Sequence, residues 1–298
     1  MPRELSVVSP RSACPACGTA IAFYDNVPVL SWVVLGGRCR SCKSRISPRY
    51  AIVELLTGLF FVAAYLVPQV SWFMEHSLAT LVKSFPVEVP YDSTAISIRL
   101  CVFSFLLIGL IFTDAETKLL PDLLTKPGIV AGLAFSLWAA VEGPAGHFLQ
   151  SVENWRLLSL LNSIAGAVMG SAFILGIALA YEAFRGVEGM GRGDVKLMGL
   201  IGAFLGVKLT LLVLLLGSLI GSLFGIFLIP IVWLKRLARR RARVRAESAG
   251  QARSRAWKSA VLIYRNFPIP FGVFLGAAAL FSAFCGKALI DWYMSLYR

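Results

Sequence analysis

The sequence predicts an all-α fold, a polytopic bundle of transmembrane helices (residues 51–298) behind a small N-terminal cytoplasmic module (residues 1–50). Three observations predict it. First, 57% of the 298 residues are hydrophobic and only 15% charged, with a mean hydropathy of +0.75. A soluble domain cannot bury that much apolar surface, whereas a membrane bundle can. Second, seven apolar segments follow one another, near 51–70, 95–113, 127–141, 157–184, 195–207, 208–233 and 269–290. Several reach the roughly 20 residues that a spanning helix needs. Third, Cys14 and Cys17, then Cys39 and Cys42, form two C-x2-C pairs separated by 21 residues. Four thiolates so spaced can surround one tetrahedral Zn²⁺.

The N-terminal module is polar and basic. Residues 1–13 lack the apolar core of a secretory signal. The four cysteines are therefore expected in a reducing cytoplasm, which favours zinc over disulfides. Four thiolates close the coordination sphere, so the expected zinc is structural. Cys101 and Cys285 lie in apolar stretches and read as small buried hydrophobes.

Lys/Arg bias orients the spans. The module carries Arg3, Arg11, Arg38, Arg40, Lys43, Arg45 and Arg49 and is placed inside. The loop 71–94 goes out, 114–126 in, 142–156 out, 185–194 in, and the connection near 207 out. Residues 235–258 hold ten basic residues against Glu247 and return inside. The net charge of +13 thus reports cytoplasmic loops that meet anionic lipid. No nucleic-acid partner is expected. The third and fifth segments are short for a full span. Gly166 and Gly170, and Gly217, Gly221 and Gly225, repeat every four residues, as close helix packing in lipid requires.

Two polar stretches interrupt the apolar chain. In one, Asp114 ends the second segment and Asp122 follows Pro121; in the other, Gly191-Arg192-Gly193-Asp194-Val195-Lys196 opens the fifth. Two spans separate Asp114 from Asp194, so both reach the same side of the bilayer. Paired carboxylates there suggest aspartyl proteolysis: like charges held close share a proton, one side chain deprotonates water and the other polarises the scissile carbonyl. Gly191 and Gly193 permit unusual backbone angles and close approach of a peptide. Each aspartate also has a plain structural reading. Asp122 can orient a turn, Asp194 can N-cap its helix, and Asp114 can be an interfacial acid. Lys196 either neutralises local charge or reaches lipid phosphate. Arg99 either snorkels or is paired. Glu54 either binds a substrate amine or cofactor or lies at the interface as a snorkelling residue.

These residues carry a resemblance. The chain resembles the type IV prepilin peptidases, bifunctional leader peptidase/N-methyltransferases of the GxGD type, over nearly its whole length. The match rests on the two CxxC pairs, Glu54-Leu55-Leu56-Thr57-Gly58, the D-x6-P-D-x2-T stretch from Asp114, the G-x-G-D-x-K stretch to Lys196, and Pro270-Phe271-Gly272. The resemblance, not the spacing, selects Asp114 over Asp122 as partner of Asp194. It implies cleavage of the basic leader of a type IV prepilin or pseudopilin at the cytoplasmic face of a bacterial inner membrane. Methylation of the new N-terminus from S-adenosylmethionine is implied as well. No strand–G-x-G-x-x-G–helix unit is visible for that cofactor. The chain departs from the pattern twice. Members usually begin with a further hydrophobic helix, of which Met1-Pro2-Arg3 resembles the tail, and Val273 stands where proline is frequent. A membrane transporter or scaffold, with Glu54, Arg99 and Asp114 along a polar pathway, is the reading from another class. It predicts no peptidase activity and the inverted repeats of transporters, for which the sequence shows no paired interruption.

Overall fold

The computed structural model describes residues 13–27, 29–79, 92–141, 154–186, 191–243, 254–255, 257–259 and 270–296. Residues 1–12 with Arg3 and Arg11, half of loop 71–94, most of 142–156, and parts of 185–194 and 235–258 lie outside the described residues. Among those described, the regular elements are helices, and the only β pairing is two isolated bridges in the cysteine module. A 3₁₀ turn, Phe23–Asn26, precedes α1 (Leu30–Val34). The bundle comprises α2 (Pro48–Ala79), α3 (Ser93–Thr117), α4 (Asp122–Trp138), α5 (Trp155–Arg185), α6 (Arg192–Arg243) and α7 (Phe271–Ser295).

Local chemistry sets the ends. The Asp92 side chain accepts the Thr94 and Ala95 N–H groups and starts α3; Asn154 accepts from Arg156 and starts α5. Lys118, at φ 55°, ends α3 by donating its N–H to the Asp114 carbonyl. Gly186, at φ 65°, ends α5 in the same manner.

Five helices, α2, α3, α5, α6 and α7, are long and apolar enough to cross a membrane. The protein is therefore a multi-pass membrane protein. Gly206 breaks α6 with a φ of 72° and a ψ of −179°, a conformation open chiefly to glycine. The break is a reversal. A Cβ on Gly170 would lie 3.0 Å from Thr210 Cγ2 and 3.2 Å from the Met198 carbonyl. Twelve residues of straight helix would hold those groups about 18 Å apart. Residues 192–205 thus run in and residues 207–243 run back, as the two sequence segments meeting near 207 require. With α4, all seven expected segments are present as helices.

The first arm of α6 is the centre of the bundle. Leu197, Met198, Leu200, Ile201 and Phe204 are almost fully buried against Phe103, Leu107 and Leu110 of α3 and Leu275 of α7, with the Phe103 and Phe204 rings stacked at 4.9 Å. A Cβ on Gly166 would sit 2.7 Å from the Gly202 carbonyl, so α5 crosses α6 at backbone contact. The two short segments, α4 and the first arm of α6, end together in a polar knot. Arg99 donates to the Ala139 and Ala140 carbonyls. Val141 N–H donates to Ser159, Asn162 Nδ2 donates to the Val141 carbonyl, and Val207 N–H donates to Asn162 Oδ1. Helix ends buried in lipid need such internal partners, which is how segments too short to span are tolerated. Arg99 is paired, as one of the two sequence readings had it.

Candidate functional site

Fifteen residues along α3 from Arg99, about 22 Å away, Asp114 and Asp194 meet at the N-terminus of α7. A Cβ on Gly272 would lie 2.8 Å from Asp114 Oδ2 and 3.3 Å from Asp194 Oδ1. Those two legs leave the oxygens no more than about 6 Å apart, so the two carboxyl groups line one site. Asp114 is 5% exposed and Asp194 9%. Asp114 lies in the last turn of α3 and Asp194 in the first turn of α6, with its N–H donated to the Gly191 carbonyl.

Asp114 caps α7 from another helix. The first N–H groups of a helix need acceptors, and the N-cap residue Pro270 offers no side-chain one. Asp114 Oδ2 accepts the Val273 N–H at 3.1 Å. The positive end of the α7 dipole faces the acids. Sequence reasoning found Pro270-Phe271-Gly272 as a motif but assigned it no role. The available signal was a proline at a helix start with no capping side chain beside it.

Asp122 stands elsewhere. It is exposed and paired with Lys126 Nζ at 2.8 Å and with Lys196 Nζ. Lys126, then Lys196, hold its carboxyl below the ordinary carboxylate value. Lys196 therefore neutralises Asp122. The two glycines act otherwise than by backbone angle. Neither is in the left-handed region. A Cβ on Gly193 would meet Leu120 at 3.2 Å, while one on Gly191 would have Gly193 N at 3.9 Å, an ordinary contact. Glu54 Oε2 accepts the Val29 N–H at 3.1 Å, tying the cysteine module to α2.

The module repeats one local structure twice. Cys14 N–H donates to the Thr19 carbonyl and Gly18 N–H to that of Cys14. Cys39 N–H donates to the Ser44 carbonyl and Lys43 N–H to that of Cys39. Gly18 and Lys43, equivalent in the repeat, both have positive φ. The four Sγ atoms lie within 4.8 Å of one another, and Cys14 and Cys42 are 3.9 Å apart. Zinc–sulfur bonds of about 2.3 Å make a tetrahedron with edges of about 3.8 Å, so the cluster fits a metal ion. Backbone N–H groups of Cys17 and Ala16 draw the Cys14 thiol down to about 6, toward the thiolate that a metal binds.

Fold and site define a multi-pass membrane protein with converging aspartates and a four-cysteine cluster whose geometry fits a metal ion. Comparison with known proteins gives the family. Residues 1–76 match the bacterial peptidase A24 N-terminal domain and residues 101–226 the type IV leader peptidase family. The prepilin leader peptidase/N-methyltransferase of Aeromonas hydrophila is 32% identical over 290 residues, covering 97% of this chain and 77% of the relative. Its counterpart in Burkholderia pseudomallei is 31% identical over 284 residues (94% and 70%). That of Pseudomonas aeruginosa is 29% identical over 289 residues (97% and 76%). No solved structure is a significant match. The chain belongs to the type IV leader peptidase family and is a peptidase of the kind that also carries methyltransferase activity.

Proposed function

We propose that this protein is an aspartyl endopeptidase that removes the basic leader of type IV prepilins or pseudopilins and methylates the new N-terminus. Prepilin processing and methylation rest on the relatives' names. The aspartyl mechanism rests on one observation, the convergence of Asp114 and Asp194 at Gly272. The two carboxyl groups hold one proton between them. The ionised member takes a proton from water, whose oxygen bonds to the scissile carbonyl carbon. The protonated member gives its proton to the carbonyl oxygen. When the tetrahedral intermediate collapses, the C–N bond breaks, the leaving amine takes the proton removed from water, and the hydroxyl formed on the carbonyl oxygen returns its proton to the other carboxylate, which restores the singly protonated pair. The buried position of both acids excludes bulk water from around the attacking molecule, and the missing Cβ of Gly272 leaves room for the two carboxyl groups to meet. Gly193 allows α6 to approach Leu120, Gly191 leaves the flank open to substrate, and Lys196 fixes the α6 start through Asp122.

In this reading residues 1–50 are a cytoplasmic module and residues 51–298 the peptidase bundle, in the inner membrane among its lipids, with no nucleic-acid partner. Cys14, Cys17, Cys39 and Cys42 would hold a zinc ion whose contribution is structural, because four thiolates leave it no open position. S-adenosylmethionine would supply the methyl group. Glu54 is the candidate near that chemistry, with Oε2 on Val29 N–H and Oε1 left for an amine.

The test is mass spectrometry of a co-expressed prepilin. The unaltered protein is expected to give a cleaved, methylated chain. Asp114→Asn and Asp194→Asn should each lower cleavage by roughly 10²–10⁴-fold, the usual worth of a positioned acid or base. Near-normal cleavage by either variant removes that residue from the mechanism.

A further inference from the structure

The cysteine module carries an apolar surface that its metal site does not use. Residues 27–35 contain no charged residue. Leu30 is 64% exposed, Val33 62% and Val34 77%, and nearby Phe23 is 86% exposed. Exposed Arg38, Arg40, Lys43 and Arg45 follow directly. We propose that α1 and Phe23 lie inside the membrane, as an interfacial anchor whose apolar side chains enter the acyl boundary beneath anionic headgroups held by Arg38, Lys43 and Arg45, while Arg40 pairs with Asp25 of the preceding turn at 2.6 Å.

Two independent observations set the depth. The first is the hydrogen bond from Val29 to Glu54. Arg49 at the start of α2 pairs with Glu116 at the end of α3, two residues beyond Asp114. Glu54 lies five residues further along α2, about 7 Å deeper. Its bond to Val29 therefore holds the start of α1 near the level of Asp114. Val29 itself is held at φ 60°, a costly conformation for a β-branched residue, so this attachment is maintained against local strain.

The second observation places that level within the apolar zone. A Cβ on Gly217 would lie 3.4 Å from Leu275 Cα, so the returning arm of α6 passes the level of Gly272 near residue 220. From there to Lys235 the arm carries no charge, and Leu223, Phe224, Ile226, Phe227, Ile231 and Leu234 are exposed. Fifteen residues of helix extend about 22 Å. Apolar surface thus continues well beyond the plane of the aspartates, and α1 is at that plane. Exposed apolar side chains beside a basic loop are the composition of an in-plane membrane anchor.

The experiment places the photo-crosslinker p-benzoylphenylalanine at position 23 or 34 of the full chain. The protein is then reconstituted in vesicles of phosphatidylethanolamine with phosphatidylglycerol. Irradiation is expected to give peptides from both positions bearing a phospholipid. Adducts only to a second copy or to an added prepilin, or no adduct at all, would overturn the anchor. Glu54→Ala is expected to lower the lipid adducts severalfold; an unchanged yield removes Glu54 as the tether. Replacing phosphatidylglycerol with phosphatidylcholine should also lower them, and equal yields overturn the part assigned to the basic residues.

Discussion

The carboxylate of Asp114 accepts the backbone N–H of Val273 at 3.1 Å, so the second long span caps the last one. This bond ties the two ends of the peptidase bundle at the point where Asp194 arrives. It also engages Oδ2, the Asp114 oxygen that faces Gly272. A proline at 273 would have no N–H to give; with valine there, this chain keeps the donor.

Gly272 should therefore tolerate no side chain. The β-carbon of Gly272→Ala would press on Asp114 Oδ2 at 2.8 Å and on Asp194 Oδ1 at 3.3 Å. The Asp114 carboxylate that must yield is held by the Val273 N–H, and the same methyl meets Asp194, so the pair is disturbed. Misplacing reacting groups by about 1 Å costs on the order of 10²-fold. That loss is expected in kcat for a prepilin peptide, with KM little changed, because the leader-binding surface is untouched. Equal kcat for variant and native protein would count against the pair as the reacting groups.

Asp122→Asn should behave differently from Asp114→Asn. Asp122 is exposed and served by two lysines, and exposed ion pairs contribute little. Cleavage within a few-fold of normal is expected from this variant. The pH dependence has a definite sign. The lysines depress the folded value of Asp122 below 3.8, so its stabilising pairing is complete above that value. It is lost as pH falls through the folded value. Between pH 5 and 8 native and variant proteins should show parallel stability curves, as followed by thermal unfolding in detergent.

How much of this was legible in the sequence differs by element. The seven segments were readable because lipid imposes length and hydropathy on each helix, and Gly206 fell at the junction that charge alternation demanded. The cysteine spacing exposed the metal module because ligand geometry is local. The meeting of Asp114 with Asp194 was permitted by topology but not fixed by it, since two acids on one side of a bilayer can stand tens of ångströms apart. Gly272 and the Val273 N–H were out of reach for a further reason. Their part depends on a backbone group and a missing β-carbon, and neither has a side-chain signature. The knot of Arg99, Ser159 and Asn162 was hidden because its acceptors and donors are also main chain.

The cysteine module should hold about one zinc ion per purified chain, measured by elemental analysis. Cys39→Ser removes a buried ligand and should lower that content severalfold. Structural zinc is worth an apparent 10–16 kcal/mol in small finger peptides, and here the module has two short knuckles and little apolar core of its own. Chelation is therefore expected to open residues 13–47 to limited proteolysis while α3, α6 and α7 stay protected. A full metal content in Cys39→Ser, or unchanged proteolysis after chelation, would contradict a four-thiolate site.

Asn162 should matter for stability and hardly at all for chemistry. Its side chain is 2% exposed and serves the Val141 carbonyl through Nδ2 and the Val207 N–H through Oδ1. Asn162→Ala leaves both main-chain groups without that partner where lipid and packing exclude water, at a cost of about 1–3 kcal/mol for each. The α6 reversal at Gly206 depends on the same amide, so the loss should appear as a lower melting temperature of the whole bundle. The knot and the aspartates stand at opposite ends of α3, about 22 Å apart by helix rise. Cleavage by the folded fraction should then keep its kcat. Arg99→Met, which strips the Ala139 and Ala140 carbonyls of their donor, should lower the melting temperature likewise. Melting curves that overlay the native one for both variants would show that the knot does not hold the short helices in place.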